Sequence, residues 1–302
     1  MMSGLRGPVL GWLMAVLFAL NTLIWAVPVY AAILLKVLMP TTGLRLAVGQ
    51  LVAALAQGWA SVNAVLGDRL IGIQWDIRMP VELRRDGKYF VCSNHQSWND
   101  IHVLMRAFGR RAPFFRFFIK QQLIWVPILG LAWWGLDYPF MKRYTRAQIE
   151  KNPGLRGKDM ETTRKACEKY AKVPVSILNF LEGTRFTQAK HDAQRSPYRH
   201  LLKPKSGGLA FTLTAMGDKL TGMLDVTIVY PEGAQSFWNF LAGRVRRVIV
   251  DVRSLGVPSD FLSGDYEADA AFRARVNTWV ANLWAEKDRR IDELLAESAA
   301  TA

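Results

Sequence analysis

Cysteine and histidine are scarce in this chain of 302 residues, with two of the first and four of the second. Two cysteines, Cys92 and Cys167, are too few for a disulfide framework. One lies in an apolar run and the other in a helical stretch, so both are expected as free thiols, which suits a cytoplasmic face. His95, His102, His191 and His200 form no Cys/His group with metal-ligand spacing, so no metal is expected. No Gly-x-Ser-x-Gly elbow is present, and no pattern marks either cysteine as a nucleophile. There is no internal repeat and no low-complexity tract. Acid is missing from two long stretches, residues 1–67 and 101–136.

What replaces acid in the first stretch is apolar chain. Arg6, Lys36 and Arg45 are its only charges, and none falls between Pro8 and Leu35. That run exceeds the ~20 residues a helix needs to cross a bilayer, with a kink or break expected at Pro28. A second uncharged run, Leu46–Gly67, is diluted by Gln50, Gln57, Ser61 and Asn63. The first run is too long for the apolar core of a signal peptide, and no small-residue cleavage site follows a short core. Residues 1–68 are therefore expected to be an uncleaved membrane anchor, spanning twice or dipping into one leaflet. In the second stretch, Arg106, Arg110, Arg111, Arg116 and Lys120 are interleaved with phenylalanines and tryptophans. Such interleaving suits nucleic acid or a bilayer interface. The adjacent anchor favours the membrane, and no nucleic acid is expected as a partner. The whole chain has 39 basic against 25 acidic side chains, a formal +14, which favours anionic partners.

Residues 69–302 read as an α/β domain. Strand-like runs at Leu70–Met79, Tyr89–Ser93, Pro113–Ile119, Val175–Leu181, Met223–Tyr230 and Val245–Val252 alternate with helical patterns at Asp100–Ala107, Lys158–Lys172 and Gly208–Met216. Tyr266–Glu297 reads as one amphipathic helix that covers the domain through Phe272, Val276, Trp279, Val280, Leu283 and Ile291.

The segment NHQSWND, residues 94–100, follows the apolar run that ends at Ser93. In a continuous helix, His95 and Asp100 would lie about 140° apart at ~100° per residue. They can meet if His95 sits in a strand-to-helix turn and the helix starts near Ser97. An imidazole oriented by a carboxylate is a competent general base. Ser97-x-x-Asp100 also fits a capping box, which would make Asp100 structural. The spacing leaves both readings open. His102 is expected as a packing or surface residue, and Lys142 as a solvated charge.

NHQSWND resembles the first block of the glycerolipid acyltransferase family, the lysophosphatidic acid acyltransferases. Residues 119–130 (IKQQLIWVPILG), 140–143 (FMKR) and 181–185 (LEGTR) are similar to three further blocks in the family's order, and Lys203-x-Lys-Ser-Gly-Gly208 to the segment after them. The likeness covers roughly residues 70–235. It departs at Lys142, where an acid is usual, at Gln121, where many members carry Glu, and at Val226–Pro231, where a Val-Pro-Val strand is usual. The resemblance implies a mixed-sheet acyltransferase-type domain preceded by a two-helix membrane anchor. It implies acyl transfer from an acyl thioester, acyl-CoA or acyl carrier protein, to the free hydroxyl of lysophosphatidic acid, giving phosphatidic acid. His95 would be the base and Asp100 its partner, with no further cofactor. Arg143, Arg185 and Lys120 would bind the acceptor phosphate, and Glu182, Gly183 and Thr184 would orient substrate. The expected location is a bacterial-type inner membrane, with the domain on its cytoplasmic face.

Overall fold

The structure is a computed structural model that describes residues 7–142, 144, 146–155 and 158–301. Two apolar helices come first, α1 (Pro8–Leu38) and α2 (Thr42–Leu66). They pack as an antiparallel hairpin in which small and polar residues set the seam. A Cβ on Gly58 would stand 2.2 Å from the Trp25 ring, so the glycine lets that indole lie against α2. Asn21 Nδ2 donates to Asn63 Oδ1 at 2.9 Å, and Trp59 Nε1 donates to Thr22 Oγ1 at 3.1 Å. Contrary to the expected break, α1 runs on through Pro28. Pro28 is exposed, so its ring stands clear of the seam with α2. Among the described residues, α1 is the one helix long and apolar enough to cross a membrane; the polar residues in α2 keep it from that class. The outer face of α1 leaves Val9, Trp12, Ile24, Val27 and Leu34 exposed.

Among the described residues, hydrogen bonds tie the hairpin to the rest at three places. Gly7 N donates to Ala242 O at 3.0 Å, and Tyr30 Oη to Ile128 O at 2.7 Å. Lys36 Nζ donates to Gly135 O and pairs with Asp137, both at 2.7 Å.

Beyond α2 a π-helical turn, Gly67–Ile71, occupies the start of the first expected strand. There follow β1 (Gln74–Arg78), β2 (Lys88–Ser93), α3 (Asn99–Phe108), β3 (Phe115–Phe117), β4 (Ile119–Lys120), α4 (Leu129–Gly135), β5 (Phe140–Met141), α5 (Arg146–Lys151), α6 (Lys158–Tyr170), β6 (Val175–Phe180), α7 (Gln188–Gln194), α8 (Gly207–Met216), β7 (Gly222–Val229), α9 (Phe237–Leu241), β8 (Arg247–Leu255) and α10 (Ala270–Ala300). Six strands form one sheet in the order β1-β8-β7-β2-β6-β3. Every pairing is parallel except β7 with β8, so the sheet is mixed. The expected strand at Pro113–Ile119 is divided: β3 joins the main sheet beside β6, whereas β4 pairs with β5 in a separate ribbon.

Helices cover both faces, which is why the central strands read as mainly apolar runs without strict alternation. Along β2, Tyr89 and Val91 face a core built with α1, α3 and α9. Phe90 and Cys92 face the other core, built with α6, α8 and α10. His102, on α3, is in the first of these layers, where its ring packs between Phe18 and Phe240. Burial pulls its pKa down to about 4, so it is a neutral packing residue.

The apolar face of α10 carries one charge that its periodicity conceals. Lys287 is fully buried and pairs with Asp225 of β7 at 2.5 Å, donating also to Val226 O at 2.6 Å. Breaking a buried pair from one side is destabilising, but Asp225 keeps a second partner, since Arg253 Nη2 donates to its other oxygen at 2.8 Å. Lys287→Met should therefore destabilise the detergent-solubilised chain by about 2 kcal/mol, less than a fully uncompensated buried charge would cost, seen as a lower thermal midpoint. An unchanged midpoint would show that the pair adds nothing to the fold.

Candidate active site

The site residues gather where β2, β6 and β7 end. These strands are neighbours and parallel, so their carboxyl ends share one edge of the sheet. β2 lies between strands reached in opposite directions, and such a switch point leaves a crevice. Asn94 extends β2 by imitating a peptide: its side chain donates to Ile228 O at 2.9 Å and accepts from Ile228 N at 2.8 Å. That fixes the residue before His95 to β7.

His95 Nδ1 stands 2.7 Å from Asp100 Oδ2. The turn brings this about because α3 begins at Asn99. The same oxygen accepts from Gln96 N at 2.7 Å and Ser97 N at 2.9 Å. The bond to Ser97 N is half of the capping box, so the structural and pairing readings of Asp100 hold together. The other oxygen accepts from Tyr230 Oη at 2.7 Å. Asp100 is fully buried, whereas the His95 side chain keeps 14% of its surface exposed. Phe180 stacks on the imidazole at 3.9 Å and 13°. With Nδ1 turned to the carboxylate, Nε2 is the nitrogen left to exchange a proton.

The LEGTR turn grips the His95 turn from β6. Glu182 is buried, and its oxygens accept from His95 N at 2.8 Å and Leu202 N at 3.1 Å. Phe186 N donates to His95 O at 2.7 Å. Glu182 thus holds backbone on both sides and, among the described residues, pairs with no arginine. Burial raises its pKa to about 7 against the pull of the two amides. Gly183 has φ +68°, a conformation that favours glycine. A Cβ there would also stand 3.2 Å from the Lys205 side chain. Thr184 Oγ1 accepts from Lys190 Nζ at 2.9 Å, and the same ammonium donates to Arg185 O at 2.9 Å. The Arg185 guanidinium lies over the Trp98 ring, 4.3 Å from its centroid. Arg185, Lys190 and Lys205 have no acid partner among the described residues.

Of the expected site residues, the structure brings together His95, Asp100, Glu182, Gly183, Thr184 and Arg185. Lys120 is exposed on the ribbon opposite Met141 and, among the described residues, shares no hydrogen bond or ion pair with either turn. Arg143 lies outside the described residues. Lys142 is exposed and sits 5.9 Å from the Tyr144 ring centroid. Tyr230, Phe180, Trp98 and Lys190 are in the site without having been singled out from the sequence. Tyr230 had one available signal, a polar-tipped ring closing an apolar strand just before Pro231. Cys92 is buried, on the sheet face opposite Val91, and burial pushes its thiol pKa up.

An imidazole held by a buried carboxylate, beside cations that lack acids, defines an α/β protein whose crevice suits an anionic ligand next to a proton acceptor. The family model described as Acyltransferase matches residues 76–236, and the chain belongs to that family. A 1-acyl-sn-glycerol-3-phosphate acyltransferase gamma of Mus musculus is 25% identical over 180 residues, covering 56% of this chain and 43% of that protein. A 2-acyl-1-lysophosphatidylinositol acyltransferase of Saccharomyces cerevisiae is 24% identical over 239 residues, covering 65% of this chain and 58% of its own length. This chain therefore spans less than two thirds of either curated relative. The crystal structure of a 1-acyl-sn-glycerophosphate (LPA) acyltransferase, PlsC, from Thermotoga maritima matches with a TM-score of 0.49 at 14% identity, over 90% of this chain and 97% of that one.

The Glu182 carboxyl has an ordinary pKa of 4.5 and one of about 7 in the fold. The folded state holds the extra proton between these values, so this group's contribution is favourable below 4.5 and is lost as pH rises through 7. Glu182→Gln removes that titration. Its unfolding free energy, from urea curves at several pH values, should fall less than the wild type's across the window. Parallel pH profiles would contradict the raised pKa.

Proposed function

We propose that the chain transfers an acyl group from a thioester to the free hydroxyl of a lysophospholipid, with lysophosphatidic acid as acceptor and phosphatidic acid as product. The observation that carries this reading is the His95–Asp100 pair beside Arg185. His95 Nε2 takes the proton of the acceptor hydroxyl, and the oxygen attacks the thioester carbonyl. Asp100 keeps the proton on Nδ1 and stabilises the imidazolium. The tetrahedral intermediate then expels the thiolate, which takes the proton back from His95. The products are a new ester and a free thiol, and no covalent enzyme intermediate is needed.

The oxyanion requires donors fixed in advance. The amides of Gln96 and Ser97 are spent on Asp100, and that of His95 on Glu182. Gly183 N is likewise spent, on Phe180 O at 2.9 Å, so the amides of Thr184 and Arg185 are the proposed source. Arg185 binds the acceptor phosphate through its fork of N–H donors, with Lys120 and Arg143 as further contributors. The donor is acyl-CoA or acyl carrier protein. The yeast relative that acts on a lysophosphatidylinositol favours a second reading, in which another lysophospholipid is the acceptor.

We further propose that residues 1–68 anchor the protein in a membrane of the bacterial inner type, with α1 in lipid, α2 against it and the catalytic domain on the cytoplasmic side. The unbroken apolar face of α1 supports this. Acceptor and product both partition into lipid, so a catalytic domain tied to the anchor by Gly7, Tyr30 and Lys36 avoids extracting them into water.

A panel of acyl-CoA and acyl carrier protein donors against lysophospholipid acceptors, on purified protein, tests the assignment. Lysophosphatidic acid should give the highest kcat/KM, and His95→Ala should lower kcat by at least about 10³-fold. Lysophosphatidic acid ranking as the poorest acceptor would overturn the substrate assignment. Full activity in His95→Ala would overturn the mechanism.

A further inference from the structure

Trp98 stands apart from its neighbours in the NHQSWND turn. Ser97 and Asn99 are buried, and both side chains donate to Gln235 O, at 2.7 and 3.0 Å. Trp98, between them, is 56% exposed. Leaving more than half of a large apolar ring in the open forgoes much of its burial stabilisation, so packing alone is a weak account of its place in the fold.

What the ring touches is Arg185. The guanidinium carbon lies 4.3 Å from the ring centroid. Among the described residues, this side chain makes no hydrogen bond and no ion pair. Both backbones are pinned independently of that contact. The Trp98 turn is held through Asp100 and Gln235, and the Arg185 turn through Lys190 Nζ to Arg185 O and Phe186 N to His95 O. A free arginine side chain carries large rotamer freedom. A cation over an indole face is attracted by its quadrupole. The contact uses the face of the guanidinium, and its edge keeps the N–H donors that match a phosphate.

We propose that Trp98 is a specificity-determining positioning residue, which holds Arg185 over its ring with the N–H edge open to an acceptor phosphate. This rests on the acyl-transfer reading and adds the reason why a phosphate-bearing acceptor is preferred. Trp98 touches neither the reacting hydroxyl nor the carbonyl. It lowers the entropy lost when Arg185 closes on the phosphate, so its effect falls on binding of the headgroup.

The test compares lysophosphatidic acid with the monoacylglycerol of the same chain, using acyl-CoA as donor and full-length protein in detergent micelles. The readout is the ratio of kcat/KM for the two acceptors. Trp98→Ala should lower that ratio about three- to tenfold, within the range of an exposed cation–π contact plus the lost ordering. The change should reside in KM for lysophosphatidic acid, and Trp98→Phe should restore most of the ratio. A ratio unchanged in Trp98→Ala, with the wild type preferring the phosphate acceptor, overturns the inference alone. That outcome includes equal losses on both acceptors, as expected if the indole only seats the domain on lipid. A wild type with no preference for the phosphate acceptor overturns the underlying substrate reading and the inference with it.

Discussion

Asp100 is a carboxylate with no exposed surface, and a buried anion is tolerated only when it is paired and fully hydrogen-bonded. It receives four donors: the His95 ring, the amides of Gln96 and Ser97, and the Tyr230 hydroxyl. Each donor comes from a different requirement of the fold. The two amides exist because α3 starts just after the turn. Tyr230 arrives because β7 runs parallel beside β2 and ends at the same edge. The imidazole completes the set, and its orientation follows from satisfying the carboxylate. Local order in this turn and the chemistry proposed for it have one cause.

The second turn is bound to the first through main chain. Glu182 takes the amide of His95, and the carbonyl of His95 takes the amide of Phe186. Glu182 also takes the amide of Leu202, whose carbonyl accepts from Trp284 Nε1 of α10 at 3.0 Å. The neighbouring amides of Arg199 and His200 donate to Asp288 on the same helix, at 2.7 and 2.8 Å. The long C-terminal helix therefore does more than cover an apolar face. It holds the irregular segment 199–202 that holds Glu182, and Glu182 in turn holds the histidine.

Much of this was legible in the sequence. The strands β2, β6 and β7 are short, mainly apolar runs closed by polar turns, and such runs report two-sided burial. The His–Asp spacing allowed the two to meet if a turn was followed by a helix start near Ser97, and a turn followed by a helix from Asn99 forms. Other features carry no local signal. The ribbon β4–β5 consists of two-residue strands, too short for any periodicity, so Pro113–Ile119 reads as one strand. α1 continues through Pro28 because that ring stands on the exposed face, which hydropathy alone does not disclose. The role of Glu182 depends on Leu202 and His95 arriving from distant parts of the chain. Nothing local marks Lys287 as buried; its partner Asp225 lies on a distant strand.

The central claim is that the buried carboxylate fixes the imidazole so that Nε2 accepts the hydroxyl proton. The most direct measurement is single-turnover acyl transfer by Asp100→Asn, with folding monitored by circular dichroism. An amide can offer His95 the wrong partner while keeping its shape, so the account predicts a correctly folded protein whose transfer rate falls by roughly 10³-fold or more. A folded Asp100→Asn enzyme that transfers acyl groups within about tenfold of the wild-type rate, a barrier change of only ~1.4 kcal/mol, would contradict it.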